Sequence, residues 1–179
     1  MTRIPECWPC GTTEPISKQQ TLSPPQPSTS LPSGLASTTK SINSSASVSK
    51  RLEYAIYIAQ CMLGKPYKNS ANPPSSFNCS TLMRYCYEKA GFDMEGDAAT
   101  QGYDSAYKKV GYGDLRRGDM VCFDTNTGDD DFSDHTGIDL GKGYFIHASS
   151  SAGKVIITNM EKDSNSYYKK AFSWGRRIA

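Results

Sequence analysis

A cysteine at the start of a predicted helix is the residue whose setting best suits covalent chemistry. Cys79 follows Asn78, a good N-cap residue, and Gly91 can end the helix. From Cys79 onward, apolar side chains recur at the spacing of a buried helix face: Leu82, Met83, Cys86, Tyr87 and Ala90. A thiol in a first helical turn meets unpaired N–H groups and the positive end of the helix dipole, which favours the thiolate. The spacing therefore predicts a nucleophilic cysteine.

The two histidines of the chain can supply the base that such a thiol needs. Cysteine catalysis requires a group that takes and returns the thiol proton, and a third group that orients this base. His135 and His147 flank a predicted hairpin whose loop is residues 141–143. The pairings that follow from this loop are Leu140 with Tyr144 and Gly137 with His147. The histidines are then diagonal neighbours on one face, roughly 7–8 Å apart at the backbone, and a one-residue slip would separate them.

The elements that must position these residues run from helices to strands. Helical spacing predicts a first helix from near Ser49, the expected N-cap, to about Gly64, and an irregular loop with two prolines leads to the Cys79 helix. A short helix is expected within 98–108. Strand candidates follow at residues 120–123, 136–140, 144–147, 155–158 and 171–178. Helices first and strands afterwards indicate an α+β domain rather than a parallel βαβ array.

The composition divides the chain into a tail and one folded domain. Residues 1–47 are rich in Ser, Thr, Pro and Gln with few aliphatic side chains, which predicts a disordered tail before a domain at 48–179. The N-terminus has no apolar segment typical of a secretory signal. No apolar run reaches the ~20 residues of a membrane span. The net charge of +2 gives no support for nucleic-acid binding. We also expect the protein to be a monomer.

The six cysteines do not predict a disulfide framework. Cys61, Cys86 and Cys122 fall in apolar periodic segments and are predicted to be packed core thiols. Cys7 and Cys10 form a C-x-x-C pair for which a local disulfide or two reduced thiols is expected, because a zinc site needs two further ligands. The acidic residues 129–131 with Asp134 lack the Gly and distal Glu of a calcium loop, so a solvated acidic loop is expected. We predict neither a metal nor a cofactor.

Five segments in collinear order carry a resemblance to a known family. They read Gly64-Lys65-Pro66-Tyr67, Asn78-Cys79-Ser80-Thr81-Leu82, Arg116-Arg117-Gly118-Asp119-Met120-Val121-Cys122-Phe123, His135-Thr136-Gly137-Ile138-Asp139-Leu140-Gly141-Lys142-Gly143 and Ile146-His147-Ala148. The NlpC/P60 cysteine peptidases have G-x-P-Y, D-C-S-G-L, R-x-G-D-x-V-x-F, H-V-G-I-x-L-G-x-G and I-H-A in that order. From about Leu52 to its end, the chain therefore resembles this family.

The resemblance implies a papain-like fold in which the helix carrying the cysteine packs on an antiparallel sheet carrying the histidines. It implies Cys79 as nucleophile, His135 as general base and His147 as the residue that orients it. Tyr67 would lie near the nucleophile, and Asn78 and Ser80 would line the substrate cleft. The implied substrate is peptidoglycan or a muropeptide, cleaved between D-isoglutamate and a diamino acid such as meso-diaminopimelate, which places the protein outside the cell or in the cell wall.

Two departures from the family pattern and several alternatives stay open. Asn78 stands where the pattern has Asp, which removes a charge that could bind a free substrate amino terminus, and Thr81 stands where it has Gly. Tyr67 could equally fill the core, and Ser80 could serve only as a helix former. The protein could also be an amidase or transferase of the same superfamily, or a wall-binding module without catalysis.

Overall fold

A computed structural model describes residues 46–162 and 164–179, and these form an α+β fold. The predicted tail, Cys7 and Cys10 lie outside the described residues, except for the last two residues of the tail. The helices are α1 (Val48–Cys61), α2 (Cys79–Lys89), α3 (Ala98–Tyr103) and α4 (Tyr167–Ala171). The strands are β1 (Lys108–Val110), β2 (Met120–Phe123), β3 (His135–Gly141), β4 (Tyr144–Ser149), β5 (Lys154–Asn159) and β6 (Phe172–Arg177).

All strand pairs are antiparallel, and the order across the sheet is β1-β6-β2-β3-β4-β5. The C-terminal strand β6 therefore lies inside the sheet, between β1 and β2, rather than at its edge. The edge strand β1 was not predicted. Residues 98–108 were expected to carry one short helix, but α3 ends at Tyr103 and Lys108 already belongs to β1.

The first helix begins earlier than the sequence suggested. Its N-cap is Ser47, whose hydroxyl accepts a hydrogen bond from the Lys50 N–H, whereas Ser49 lies inside the helix. The predicted N-cap was therefore wrong by two residues, because several serines in this stretch could cap equally well. The buried face of the helix is as predicted and includes Ala55, Ile56 and Ala59.

Side chains along the central strands alternate between the two faces of the sheet. One set packs with α1 and α2 in the larger core cluster: Met120, Cys122, Ile138, Leu140, Ile146 and Ala148. The other set, Val121, Phe123 and Phe145, forms a smaller cluster with Met160 from the turn after β5, and α4 and β6 cover this cluster. The sheet therefore has α1 and α2 on one face and α4 on the other.

The hairpin between β3 and β4 has the predicted register for most of its length. Ile138 pairs with Ile146 and Asp139 pairs with Phe145, and the same register brings Gly137 opposite His147 as expected. The predicted loop of residues 141–143 was wrong. Gly141 pairs with Tyr144, and a bulge at Leu140 adds one residue to β3.

Positive φ angles explain the geometry of this hairpin loop. Lys142 and Gly143 have φ values of 56° and 76°, which suit the two central residues of a primed two-residue turn, and Gly141 before them has φ 82°. The bulge shifts the register only beyond Asp139, so the part that carries the histidines is unaffected. This is why an incorrect loop still gave the correct facing of the two rings.

The three cysteines predicted to pack in the core do so. Cys86 and Cys122 are completely buried, and Cys61 packs half-buried against the core. Burial raises the pKa of Cys86 well above its usual range, with a smaller contribution from Cys61. In the described part of the chain, no helix is long and apolar enough to cross a bilayer.

Candidate functional site

The N-terminus of α2 is fixed by a reciprocal pair of hydrogen bonds. The Asn78 side-chain oxygen accepts from the Thr81 N–H at 2.8 Å, and the Thr81 hydroxyl accepts from the Asn78 N–H at 2.9 Å. This arrangement is a capping box. It gives a structural reason for Thr81, where the family pattern has Gly, and it holds Cys79 at the first position of the helix.

The Cys79 thiol lies against the start of β3. It donates a hydrogen bond to the Asp134 carbonyl oxygen, with the two heavy atoms 3.8 Å apart. Burial raises the pKa of this thiol, while the N–H groups of Ser80, Thr136 and Cys79 itself lower it by less. The expectation that the helix terminus favours the thiolate is therefore outweighed by burial in this structure. The protonated thiol is the resting form.

His135 and His147 are in direct contact. His135 Nε2 and His147 Nδ1 are 2.7 Å apart, and His147 Nε2 lies 2.9 Å from the Thr158 hydroxyl oxygen. The side chains thus form a chain of hydrogen bonds that runs across β3, β4 and β5. Because Nε2 of His135 is engaged in this contact, Nδ1 is its remaining nitrogen, and it can accept a proton in the tautomer that carries the hydrogen on Nε2.

Aromatic rings pack around the histidine pair, in which His147 is completely buried and His135 is partly exposed. The Phe145 ring stacks on His147 with the ring centroids 4.4 Å apart, and Tyr168 of α4 lies 5.8 Å from His135 and 5.1 Å from His147. Burial lowers the pKa of His135 to about 4 and lowers that of His147 well below its usual range, with a further contribution from His135. Both imidazoles are therefore neutral at neutral pH.

The structure brings the thiol and the histidine pair to the same end of β3 without joining them. The thiol bonds to Asp134, the residue before His135, and among the described residues no hydrogen bond links Cys79 to His135. Such bonds are often long in the absence of substrate and shorten when it binds.

The other predicted site residues lie around the start of α2. Tyr67 packs half-buried against the core, and its pKa is raised first by burial and then by the charge that Cys79 carries as a thiolate. Asn78 also donates from Nδ2 to the Asn69 carbonyl, at 3.1 Å. Ser80 is buried, and its hydroxyl donates to the Asn78 side-chain oxygen at 3.2 Å. Tyr67 is thus close to the thiol, while the polar atoms of Asn78 and Ser80 are largely engaged in the helix cap.

The acidic loop before β3 is partly structural. The Asp134 carboxylate accepts hydrogen bonds from the N–H groups of Thr125 and Asn126, each at 3.0 Å, whereas residues 129–131 are mostly exposed. Among residues 46–162 and 164–179, no group of three or more His, Cys, Asp or Glu side chains could hold a metal ion. Asp134 therefore fixes the loop that leads into His135.

Sequence reasoning did not identify two residues of the site. Thr158 was predicted only as the end of a strand. Its signal in the sequence is a hydroxyl that directly follows the apolar run Val155-Ile156-Ile157, where it can bond to a buried polar group. Tyr168 carried no signal, because its helix α4 has only five residues and no apolar periodicity. Both are placed by the tertiary fold rather than by local spacing.

Gly137 is a position where a single methyl group should disturb the histidine pair. A Cβ atom there would lie 2.6 Å from Phe145 Cδ2, 2.9 Å from the Ile146 carbonyl oxygen and 3.3 Å from His147 Cβ. We expect Gly137→Ala to lower the free energy of unfolding by about 1–3 kcal/mol, the usual cost of overpacking. Urea denaturation measures this. Gly113→Ala is the matched control, since a Cβ there meets nothing within 4 Å, and equal stability of the two variants would contradict the prediction.

The helix-borne thiol, the antiparallel sheet and the histidine pair define a papain-like α+β domain. The NlpC/P60 family profile matches residues 64–177, and the chain belongs to this family. The resemblance in the motifs and the predicted fold class are confirmed.

Three known proteins are similar to this chain in sequence or structure. The chain is 33% identical over 129 residues to the peptidoglycan DL-endopeptidase CwlO of Bacillus licheniformis, a match that covers 68% of this chain and 27% of that protein. It is 28% identical over 137 residues to the murein DD-endopeptidase MepH of Escherichia coli, covering 74% and 48%. The structure of NlpC2 from Trichomonas vaginalis matches with a TM-score of 0.62 and 27% identity, covering 72% of this chain and 46% of that one. The chain thus spans half or less of each of these proteins.

Proposed function

We propose that this chain is a cysteine endopeptidase that hydrolyses the stem peptides of peptidoglycan. The observation that carries the proposal is the thiol at the first position of α2, beside the start of a strand whose His135 is hydrogen-bonded to His147. Such an arrangement has the three parts that acyl transfer by a thiol needs: a nucleophile, a base and an orienting group.

In the proposed mechanism, the neutral His135 carries its proton on Nε2 and donates it in a hydrogen bond to His147. Nδ1 of His135 then takes the thiol proton of Cys79 while the sulfur attacks the substrate carbonyl carbon. The Cys79 N–H, in the first turn of α2 where no backbone carbonyl of the helix accepts from it, donates to the oxyanion that forms. The imidazolium returns the proton to the departing amine, and water hydrolyses the resulting thioester.

Burial shapes both proton transfers. The low dielectric of the site favours the neutral thiol and the neutral imidazole over the thiolate and imidazolium pair. Substrate binding must therefore drive the proton transfer, and the ion pair forms only when the attack can follow. This keeps a reactive thiolate out of the resting enzyme, in which the Asp134 carbonyl holds the thiol proton.

We propose the bond between D-isoglutamate and the diamino acid as the one cleaved. CwlO is by name a DL-endopeptidase, and the bond from D-isoglutamate to the L centre of the diamino acid is of that type. MepH is by name a DD-endopeptidase, so the competing choice is a D,D cross-link. The substrate places the activity outside the cell or in the cell wall.

Digestion of purified muropeptides tests the proposal. Stem peptides with and without D,D cross-links are incubated with the protein, and the new termini are read by mass spectrometry. We expect a new amino terminus on the diamino acid and a new carboxyl terminus on D-isoglutamate. Unchanged muropeptides would remove the proposed activity, and cleavage only of cross-linked substrates would replace the proposed bond by the D,D cross-link.

Asn78 is proposed to weaken the selectivity for a free stem-peptide amino terminus, because a carboxamide cannot pair with an ammonium group as a carboxylate does. We expect wild-type rates on free and N-blocked stem peptides to agree within about fivefold, the size of an exposed ion pair. Asn78→Asp should increase the preference for the free form. Aspartate also caps helices well, so α2 is preserved. A strong wild-type preference for the free form would contradict this expectation.

A further inference from the structure

Thr136 is a buried hydroxyl for which the resting structure provides no use. The residue has no exposed surface, and within the described part of the chain its Oγ1 has no hydrogen-bond partner. Leaving a buried hydroxyl unpaired is unfavourable, because its bonds to water are lost and not replaced. Such a group marks either a locally costly packing choice or an interaction that forms only in another state of the molecule.

The strand geometry directs this hydroxyl towards the nucleophile. Thr136 pairs with Cys122, and both Cys122 and the next residue on the same face of β3, Ile138, belong to the core cluster shared with α2. The side chain of Thr136 therefore lies on the α2 side of the sheet, opposite to that of His135. The Cys79 sulfur is 3.8 Å from the carbonyl oxygen of Asp134, two residues earlier.

The chemistry of the two groups explains why the bond is absent at rest. A neutral thiol is a weak hydrogen-bond acceptor and already donates its proton to Asp134. A thiolate has no proton to donate and is a strong acceptor, and hydrogen bonds to charged acceptors are about twice as strong as neutral ones. The Thr136 hydroxyl thus gains a partner at the moment when the proton has left for His135.

We propose that the Thr136 hydroxyl donates a hydrogen bond to the Cys79 thiolate and stabilises it during attack, an inference that rests on the proposed function of Cys79. Proton balance is simple: the thiol proton goes to His135, and the hydroxyl keeps its own. Burial raises the pKa of Cys79, and the hydroxyl of Thr136, together with the N–H groups around the sulfur, partly offsets that rise. In the family pattern H-V-G-I the residue at this position is valine, which has no hydroxyl.

The pH dependence of alkylation tests this proposal without a peptidoglycan substrate. The full chain is treated with iodoacetamide between pH 5 and 10, and labelling of Cys79 is followed by peptide mass spectrometry. Thr136→Val removes the hydroxyl at nearly constant volume and should move the Cys79 profile to higher pH, with labelling roughly tenfold slower below the midpoint. Thr136→Ser keeps the donor and should leave the profile near that of the wild type.

Thermal unfolding separates this role from a structural one. Because the hydroxyl is unpaired at rest, Thr136→Val should not lower Tm, whereas a residue needed only for packing or folding would. If the valine variant does not fold, Thr136→Ala takes its place. It also removes the donor and should shift the pH dependence of Cys79 labelling in the same direction. If Cys79 is reactive and its labelling rate depends on pH in the same way in the wild type and in the Val and Ala variants, the inference about Thr136 is overturned while the proposed function stands. Muropeptide cleavage that persists in Cys79→Ala contradicts the nucleophile itself, and the inference falls with it.

Discussion

Cys79→Ala abolishes cleavage of stem peptides while leaving the fold intact. Removing a nucleophile eliminates the covalent route altogether, and comparable deletions in other hydrolases cost on the order of 10⁴-fold or more in kcat. The fold should survive, because the alanine retains the helix, and the capping box of α2 is made by Asn78 and Thr81 rather than by the thiol. The measurement is the rate of muropeptide cleavage, with circular dichroism to verify folding.

A matched variant distinguishes the nucleophile from the other thiols. Cys61→Ala removes a half-buried thiol from the end of α1, where it packs against the core, and should keep wild-type rates. Residual cleavage by Cys79→Ala at more than a few per cent of the wild-type rate would show that another group attacks the substrate. Loss of activity in both variants would point to a general requirement for reduced thiols.

Acidification destabilises the protein through the histidine pair. Burial lowers the pKa of His135 to about 4, compared with about 6.5 in the unfolded chain. Between these values the unfolded state binds more protons than the folded state, so the free energy of unfolding falls as the pH is lowered. For His135 alone we expect a loss of about 2 kcal/mol between pH 7.5 and pH 5. The lowered pKa of His147 acts in the same direction.

Asp139 changes the pH dependence of stability in the opposite direction, so the experiment needs a variant at this position as well. Its pKa is raised to about 6, chiefly by burial, so the folded state holds this proton more tightly and gains stability as the pH falls below 6. Urea denaturation at both pH values should therefore compare the wild type with His135→Gln and with Asp139→Asn. The glutamine variant should lose less stability on acidification than the wild type, and the asparagine variant should lose more. Identical pH dependence in all three proteins would exclude the assigned origin.

Much of the site could be predicted because its signals are local. Asn78, Cys79 and the apolar periodicity after them specify a capped helix within a dozen residues. The facing of His135 and His147 followed from strand alternation once the hairpin was recognised. The bulge at Leu140 was not visible, since a strand ending in glycines fits a two-residue and a three-residue loop almost equally well.

The features that escaped prediction depend on partners distant in sequence. Strand β1 contains two exposed lysines and one valine, and it exists because β6, more than sixty residues later, pairs with it. The protonation state of Cys79 depends on how deeply the sheet buries it, which spacing along α2 does not reveal. Thr158 became part of the site only because β5 lies beside β4.

The bulged hairpin has a practical consequence for engineering. The bulge at Leu140 takes up the one-residue register shift between β3 and β4. We therefore expect a change in the length of the turn to leave the register of the strand segments that carry the histidines unchanged. Lengthening an exposed loop has only a modest entropic cost. The turn at Lys142 and Gly143 is accordingly a suitable position for inserting a fluorophore-binding tag or a wall-targeting peptide, which makes this hairpin an attachment point as well as a scaffold.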